Sequence, residues 1–586
     1  MPSFDHPPTA LGCPIPANTP HAVSVTLPSW SANVAYEEGK EWVVSKMTSG
    51  YPRFFLHEKI QQLVSLVESR YGSSGESAII FPSYKVACKC RTFMHRFTKL
   101  TGSNIRVVEI TVPPPSQGVH SNISIVFFPG SEVGLARAFW QHTGDGISSR
   151  MAEYCLERLK DTETPKSESK SSADAFKLAP HTFRRYAKKF DSPSVASSED
   201  ESDDPREFAT YLEERFGRNL DISFVRQVKI ALRRRIAGTL EDNLDISQVL
   251  QTQPHVSTRD VEGLTEDDVF LYPTGMSSIF NAHQLLLACL ENNKKSVCFG
   301  FPYIDTLKIL NKWGPGCHFY GHGEPQDLVE LEKLLEGGEQ VMALFCEFPS
   351  NPLLKSPDLK EIRRLADKYK FVVVVDETVG NFINTHVLEY ADIVVSSLTK
   401  VFSGDSNVMG GSLVLSPASH YYDILKETLA KEYEDNMWAE DAIFLERNSR
   451  DFVSRIRRIN VNAEALCELL LAEPQVKNVF YPKYSSTRQF YDNCRTEDGG
   501  YGGLLSIVFH EPQHAQAFFD AVKAAKGPSL GTNFTLLCPY TVIAHFLEMD
   551  WAAEYGVDPF LVRISVGLEA TDDLVETFSS AMGSLS

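Results

Sequence analysis

The chain has 586 residues, 43% hydrophobic and 23% charged, which is too long for one packed core and ordinary for a globular protein. Its 57 basic and 76 acidic residues leave a formal charge of −19, which excludes a general nucleic-acid binder: no surplus of Lys and Arg is there to neutralise phosphates. No apolar run reaches the roughly 18 residues a membrane span needs.

The start, MPSFDHPPTALGCPIPANTPHAV, is Pro-rich and lacks a charged region followed by an apolar one, so it does not fit a signal peptide. The 11 cysteines are scattered with no CxxC pair, which suits reduced thiols, and a cytoplasmic location is expected. Cys88 and Cys90 (CKC) read as two thiols, and no metal site is expected.

Residues 1–160 are expected to form an N-terminal extension or domain. HEKIQQLVSLVESRYG (57–72) sets Ile60, Leu63, Val64 and Val67 at helical spacing. ESAIIFPSYKVACKCRTFMHRF and NISIVFFPG are expected to supply strands. Residues 161–206, with SPSVASSEDESDDPRE, offer little to bury and read as an acidic, Ser-rich linker.

Across 207–455 strand and helix signals alternate. DVFLYPTG (268–275) is a strand meeting a Gly turn, and SIFNAHQLLLACLENN (278–293) a helix. SVCFGFPY, QVMALFCEFPSNP, FVVVVDE and ADIVVSS are strands, separated by the helices DLVELEKLLEGG and LKEIRRLADKYK. Continuous apolar strands in this rhythm predict an α/β fold, a mostly parallel sheet covered on both faces. Residues 440–480 are helix-rich. Over 456–586, LLSIVFH, a helix at 513–526 and LVRISVG suggest a smaller C-terminal α/β domain.

In such sheets ligands bind beyond the carboxyl ends of the strands. Gly275 and Met276 follow one strand and open a helix, where free N–H groups and the dipole suit a phosphate. Glu347 and Asn351 follow a second strand, and Asp376 a third. Ser397, Thr399 and Lys400 follow a fourth. Hydroxyls can hold the same anion, an Asp can pair with a protonated pyridine nitrogen, and a shielded lysine can form a Schiff base. Phosphate, pyridinium and aldehyde are the handles of pyridoxal phosphate (PLP). Taken singly, a strand-end lysine is a surface residue and an Asp a helix cap. Their joint order, TGM, ExPxNP, VVVDE and SxTK, points to the cofactor.

With these residues in view the sequence resembles the γ-family of PLP enzymes of cysteine and methionine metabolism, and within it the fungal cystathionine γ-synthases. YPTGMSSIF, CEFPSNP, VVVVDETVGNF, SSLTKVFSGDSNVMGG, PSLGTNFTL and VRISVGLE carry the likeness over roughly 207–586, and HAVSVTLPSW to GYPRFF extends it to the N-terminus. The resemblance implies the aspartate-aminotransferase type of fold. It makes Lys400 the lysine that bonds the cofactor and moves protons, and Asp376 the partner of the pyridine nitrogen. Gly275, Met276, Ser397 and Thr399 become the phosphate cradle, Asn351 a neighbour of the ring oxygen, and Tyr303 the ring-stacking helper in catalysis. Arg563, with Ser529 and Glu347, would bind the substrate. After the lysine the chain departs from the family's pattern at Val401, Gly404, Asp405, Ser406 and Asn407. The family's Y-x-R motif, which reaches a neighbouring subunit's phosphate site, has two candidates: Tyr211 with Arg215 or Arg218, and GYPRFF (50–55).

The implied activity is γ-replacement on an O-activated L-homoserine (O-acetyl or O-succinyl) with L-cysteine, giving L-cystathionine. Sulfide or a carbon nucleophile in place of cysteine, or cystathionine cleavage, stay open. The implied partners are small amino acids and a second copy of the chain, in a dimer or tetramer.

Overall fold

The computed structural model describes residues 10–52, 55–98, 104–113, 121–160, 222–240, 244, 246–290 and 293–585. The linker read over 161–206, and Tyr211, Arg215 and Arg218, lie outside them. Among the described residues the strands form three sheets.

The N-terminal sheet is antiparallel, with β3 (Ser121–Pro129) between β1 (Glu76–Phe81) and β2 (Arg106–Val112). Its side chains alternate between two cores. Ile80, Ile125 and Phe127 meet the expected helix Glu58–Tyr71, while Ile79, Phe81, Val126 and Phe128 face the other way. That second face is covered by the helix Tyr84–Phe97, where a strand was expected. Two local signals decide it. Ser83 Oγ caps the first turn, accepting from Val86 N–H at 3.3 Å, and Val86, Ala87, Cys90, Phe93 and Met94 recur every three or four residues on the buried side.

The central sheet has the order β4 (Val269–Tyr272), β10 (Gly411–Leu415), β9 (Ile393–Ser397), β8 (Val372–Asp376), β7 (Val341–Glu347), β5 (Lys295–Phe299), β6 (Cys317–Tyr320). From β9 to β6 neighbours are parallel, and β10 alone runs against the rest, antiparallel to both β9 and β4. The carboxyl ends of β4, β5, β7, β8 and β9 therefore share one rim. In β8, Val373 and Val375 enter one core and Val372 and Val374 the other, which is why this strand is apolar throughout.

The C-terminal sheet runs β11 (Val476–Phe480), β12 (Leu504–Phe509), β15 (Val562–Ser565), β14 (Leu536–Pro539), β13 (Ala525–Lys526). Arg563 stands on its middle strand, opposite Ser506 on one side and Cys538 on the other. The N-terminal segment is fastened across this unit and the central one. Val23 N–H donates to Ser406 O at 2.8 Å, Leu27 N–H to Lys526 O at 2.9 Å and Trp30 N–H to Asp520 Oδ1 at 2.7 Å.

Candidate active site

The rim opens into a cavity of about 210 Å³ lined by residues of all three units. Gly275, Met276, Tyr303, Glu347, Asn351, Asp376, Ser397, Thr399, Lys400, Ser529 and Arg563, all expected from the sequence, line it.

Lys400 sits in the turn after β9 and is 7% exposed. Its Nζ donates to Ser529 Oγ and to Tyr51 Oη, both at 3.1 Å, and lies 4.6 Å from the centre of the Tyr51 ring. No carboxylate among the described residues forms an ion pair with it. Ser529 holds a φ of 139°, a value that L side chains rarely adopt. Its carbonyl accepts from Arg563 at 2.6 Å, so one strained residue ties the lysine to the arginine.

Arg563 also donates to Asn351 Oδ1 at 3.1 Å and stacks 5.0 Å from the Tyr540 ring. Glu569, six residues on, is half-buried and accepts from Thr535 Oγ1 at 2.8 Å. The guanidinium is thus buried, facing the cavity, with no acid partner among the described residues.

Two carboxyl groups end adjacent strands, Glu347 opposite Asp376 in the β7–β8 register. Both are half-buried, facing the cavity. Burial, first, and then its neighbour Asp376 push the Glu347 carboxyl up to about 8. Burial likewise raises Asp376, against the hydrogen bond from Thr378 N–H at 2.9 Å. Glu347, expected to bind substrate, lines the cavity and also braces its wall. One oxygen accepts from Tyr303 N–H and the other from Asn351 N–H at 3.2 Å, so it holds the two loops that carry those residues.

At the helix Gly275–Cys289, Thr274 Oγ1 accepts from Ser277 N–H at 3.0 Å. A Cβ on Gly275 would lie 2.5 Å from Ser397 Cβ, so glycine alone lets the end of β9 lie against the helix start. Thr399 is steadied by Gly410 N–H, which donates to its Oγ1 at 3.1 Å. The loop that departs from the family's pattern is held from elsewhere. Arg455 donates to Val401 O at 2.9 Å and Phe402 O at 2.8 Å, Asn448 to Asn407 Oδ1 at 2.8 Å, and Asn533 to Asp405 Oδ1 at 2.7 Å.

The outer wall was missed in the sequence. It comes from the N-terminal segment and its sheet: His21, Ala22, Val23, Tyr51, Trp140 and Gly144. Gly144, at φ 65°, presents its carbonyl to Thr274 Oγ1 at 3.1 Å, and a Cβ there would lie 2.3 Å from that oxygen. Asp145 accepts from Ser277 Oγ and from Asn281 Nδ2, and burial pushes its carboxyl up to about 6. The one available signal was GYPRFF. Tyr51 from that stretch stands at Lys400, whereas the Tyr211 alternative lies outside the described residues.

The residues fit PLP on their own chemistry. Desolvation raises Asp376, and desolvation and then Asp376 raise Glu347, with no paired cation among the described residues; a pyridinium at Asp376 would favour its charged form. An open helix start beside two hydroxyl residues suits a phosphate, and an unpaired buried amine suits an aldehyde.

These are the requirements of a PLP enzyme, and the chain belongs to the family of Cys/Met metabolism PLP-dependent enzymes, matched over residues 254–583. Residues 59–148 match the N-terminal domain of fungal trans-sulfuration enzymes. Among individual relatives, the chain is 47% identical to a cystathionine γ-synthase of Neurospora crassa, over 98% of both chains. It is 40% identical to a cystathionine γ-synthase of Saccharomyces cerevisiae, again over 98% of both. It is 44% identical to the cystathionine γ-synthase-like enzyme iboG2 of Amanita muscaria, over 98% of this chain and 96% of that one.

Proposed function

We propose that this chain replaces the γ-acyloxy group of an O-acetyl- or O-succinyl-L-homoserine with the sulfur of L-cysteine, yielding L-cystathionine. The observation that carries this reading is the buried Lys400 amine in one cavity with Arg563, Asp376 and the helix start at Gly275. Bound PLP supplies the electron sink for carbanions at the substrate.

The chain's residues do the rest. Ser397, Thr399 and the first-turn N–H groups of Gly275 and Met276 hold the phosphate. Asp376 would keep the pyridine nitrogen protonated, and Tyr303 would pack beside the ring. Arg563 takes the substrate carboxylate with N–H groups left over from its bonds to Asn351 and Ser529, and a planar fork fixes the Cα–H angle where an ammonium would not. Lys400 Nζ, set between Ser529 Oγ and Tyr51 Oη, removes the proton from Cα, then from Cβ, and later returns protons to the same face. The acyl group leaves as a carboxylate and needs no proton. Asn351 and Glu347 act through position, the latter by holding Tyr303.

A cytosolic setting agrees with eleven unpaired cysteines, all within the described residues. A homo-oligomer belongs to this proposal through the family resemblance. Among the described residues no helix is long and apolar enough to cross a membrane. Product analysis with O-acetyl-, O-succinyl- and O-phosphohomoserine, each with cysteine or sulfide, tests the reading. Cystathionine from an acyl ester and cysteine supports it. Exclusive use of sulfide, or no use of any ester, overturns it.

A further inference from the structure

One ionisable cluster of the cavity wall has no part in the steps assigned to Lys400, Asp376 and Arg563. His21 lines the cavity together with Ser149. Its Nδ1 is 3.0 Å from Ser149 Oγ and its Nε2 is 3.1 Å from Glu153 Oε2. Ser149 and Glu153 are four residues apart on the helix Ser149–Lys160, so one face of that helix presents both. Glu153 is ionised: the hydrogen bond to His21, then that to Lys59, outweigh burial and hold its carboxyl at about 2. Lys59 Nζ occupies its other oxygen at 3.0 Å.

A carboxylate only accepts, so Nε2 carries the proton. In the neutral ring Nδ1 is then a bare lone pair facing the Ser149 hydroxyl, which donates to it. His57, stacked 5.8 Å away, cannot take this part. Its Nε2 donates to Pro20 O at 2.9 Å and its Nδ1 accepts from Lys59 N–H at 3.2 Å, so neither nitrogen is open.

The proposed reaction has a proton with no assigned acceptor. Lys400 handles the protons on carbon. A free thiol has a pKa near 8.5 and must lose its proton as it attacks. We propose that Ser149, His21 and Glu153 form the relay that takes this proton from the incoming thiol; the proposal rests on the γ-replacement reading. The sulfur lone pair forms the S–Cγ bond, and the π pair of the β,γ-unsaturated amino-acid chain moves to Cβ, where Lys400 returns a proton. The thiol proton passes to Ser149 Oγ as that oxygen gives its own to His21 Nδ1. Glu153 stabilises the resulting imidazolium, which releases the proton to solvent.

The test uses the full-length holoenzyme with O-acetylhomoserine, with and without cysteine, and measures cystathionine against 2-oxobutyrate, the product of elimination without replacement. His21→Gln should cut cystathionine formation about a hundredfold, the scale of general base catalysis. Ser149→Ala should act in the same direction, and in both the ratio of cystathionine to 2-oxobutyrate should fall with little loss of elimination. An unchanged ratio, or equal loss of both products, overturns the relay. A readout apart from turnover is the ¹⁵N spectrum of His21 in the substrate-free protein, assigned by difference from His21→Gln. A protonated Nε2 with a bare Nδ1 supports the relay, and the opposite tautomer overturns it. If the native protein makes neither product from any homoserine ester, the γ-replacement reading fails instead.

Discussion

Two of the cavity's walls differ in origin. The inner wall is a row of strand ends, Glu347, Asp376 and Ser397 with Lys400 just beyond, fixed by a sheet whose register leaves no freedom. The outer wall is laid on from far away in sequence, by His21, Tyr51 and the Gly144 turn. The inner wall carries groups that any PLP chemistry needs. The outer wall carries the Ser149–His21–Glu153 relay proposed for the second substrate. On the proposed mechanism, generic chemistry resides in the register of one sheet, and the specific part in the docking of another unit.

That division can be broken by mutation, and the largest effect should come from the inner wall. Lys400→Ala should abolish turnover while leaving the fold intact, checked by product analysis beside circular dichroism. Measurable native-like turnover would remove Lys400 from the mechanism. Next, Asp376→Asn should retain PLP but slow turnover roughly a hundredfold, about the 3 kcal/mol of a charge-assisted bond in a desolvated site. An amide does not hold a pyridine nitrogen protonated as a carboxylate does. A near-native kcat would mean that another group serves that nitrogen.

Arg563→Lys should cost roughly 2–4 kcal/mol in kcat/KM for the homoserine ester, with PLP content per chain unchanged. Loss of PLP with normal activity per bound PLP would make Arg563 a cofactor residue. At Tyr51, on the outer wall, the expected effect is smaller. Tyr51→Phe removes one neutral oxygen from Lys400 Nζ and should lower kcat about fivefold, near 1 kcal/mol. A loss as deep as that of Lys400→Ala would place Tyr51 on the inner side of the comparison.

The smallest effect concerns the seam between the two walls. Asp145 has its carboxyl raised from the ordinary 3.8 to about 6 by burial. The native state therefore binds its proton more tightly than the unfolded state does. Stability falls as pH rises from about 4 through 6, and the loss stays in place above. Asp145→Asn keeps an acceptor for Ser277 without the charge. Its Tm should exceed the native value at pH 7 and lose that advantage near pH 4. A Tm difference independent of pH would show that Asp145 does not titrate in this window.

The sequence by itself determined the inner wall. Apolar strands of five to seven residues, each ending in a polar residue, imply a buried parallel sheet, and such a sheet puts its carboxyl ends on one rim. Lys400 and Asp376 could be placed on the rim because their positions follow from short-range pattern, whereas Arg563 was placed in the site through the family resemblance of VRISVGLE. The helix Tyr84–Phe97 was misread although its signals are local, because an apolar run beside a true strand hides a period of 3.6. Only the tertiary structure decided the rest. That the Glu347 oxygens accept from the N–H groups of Tyr303 and Asn351 was not legible in the sequence. His21 and Ser149 are 128 residues apart, and Lys400 and Tyr51 are 349 apart. No periodicity carries such pairings. They arise from the fit of one packed surface on another, which a linear pattern of polar and apolar residues does not encode.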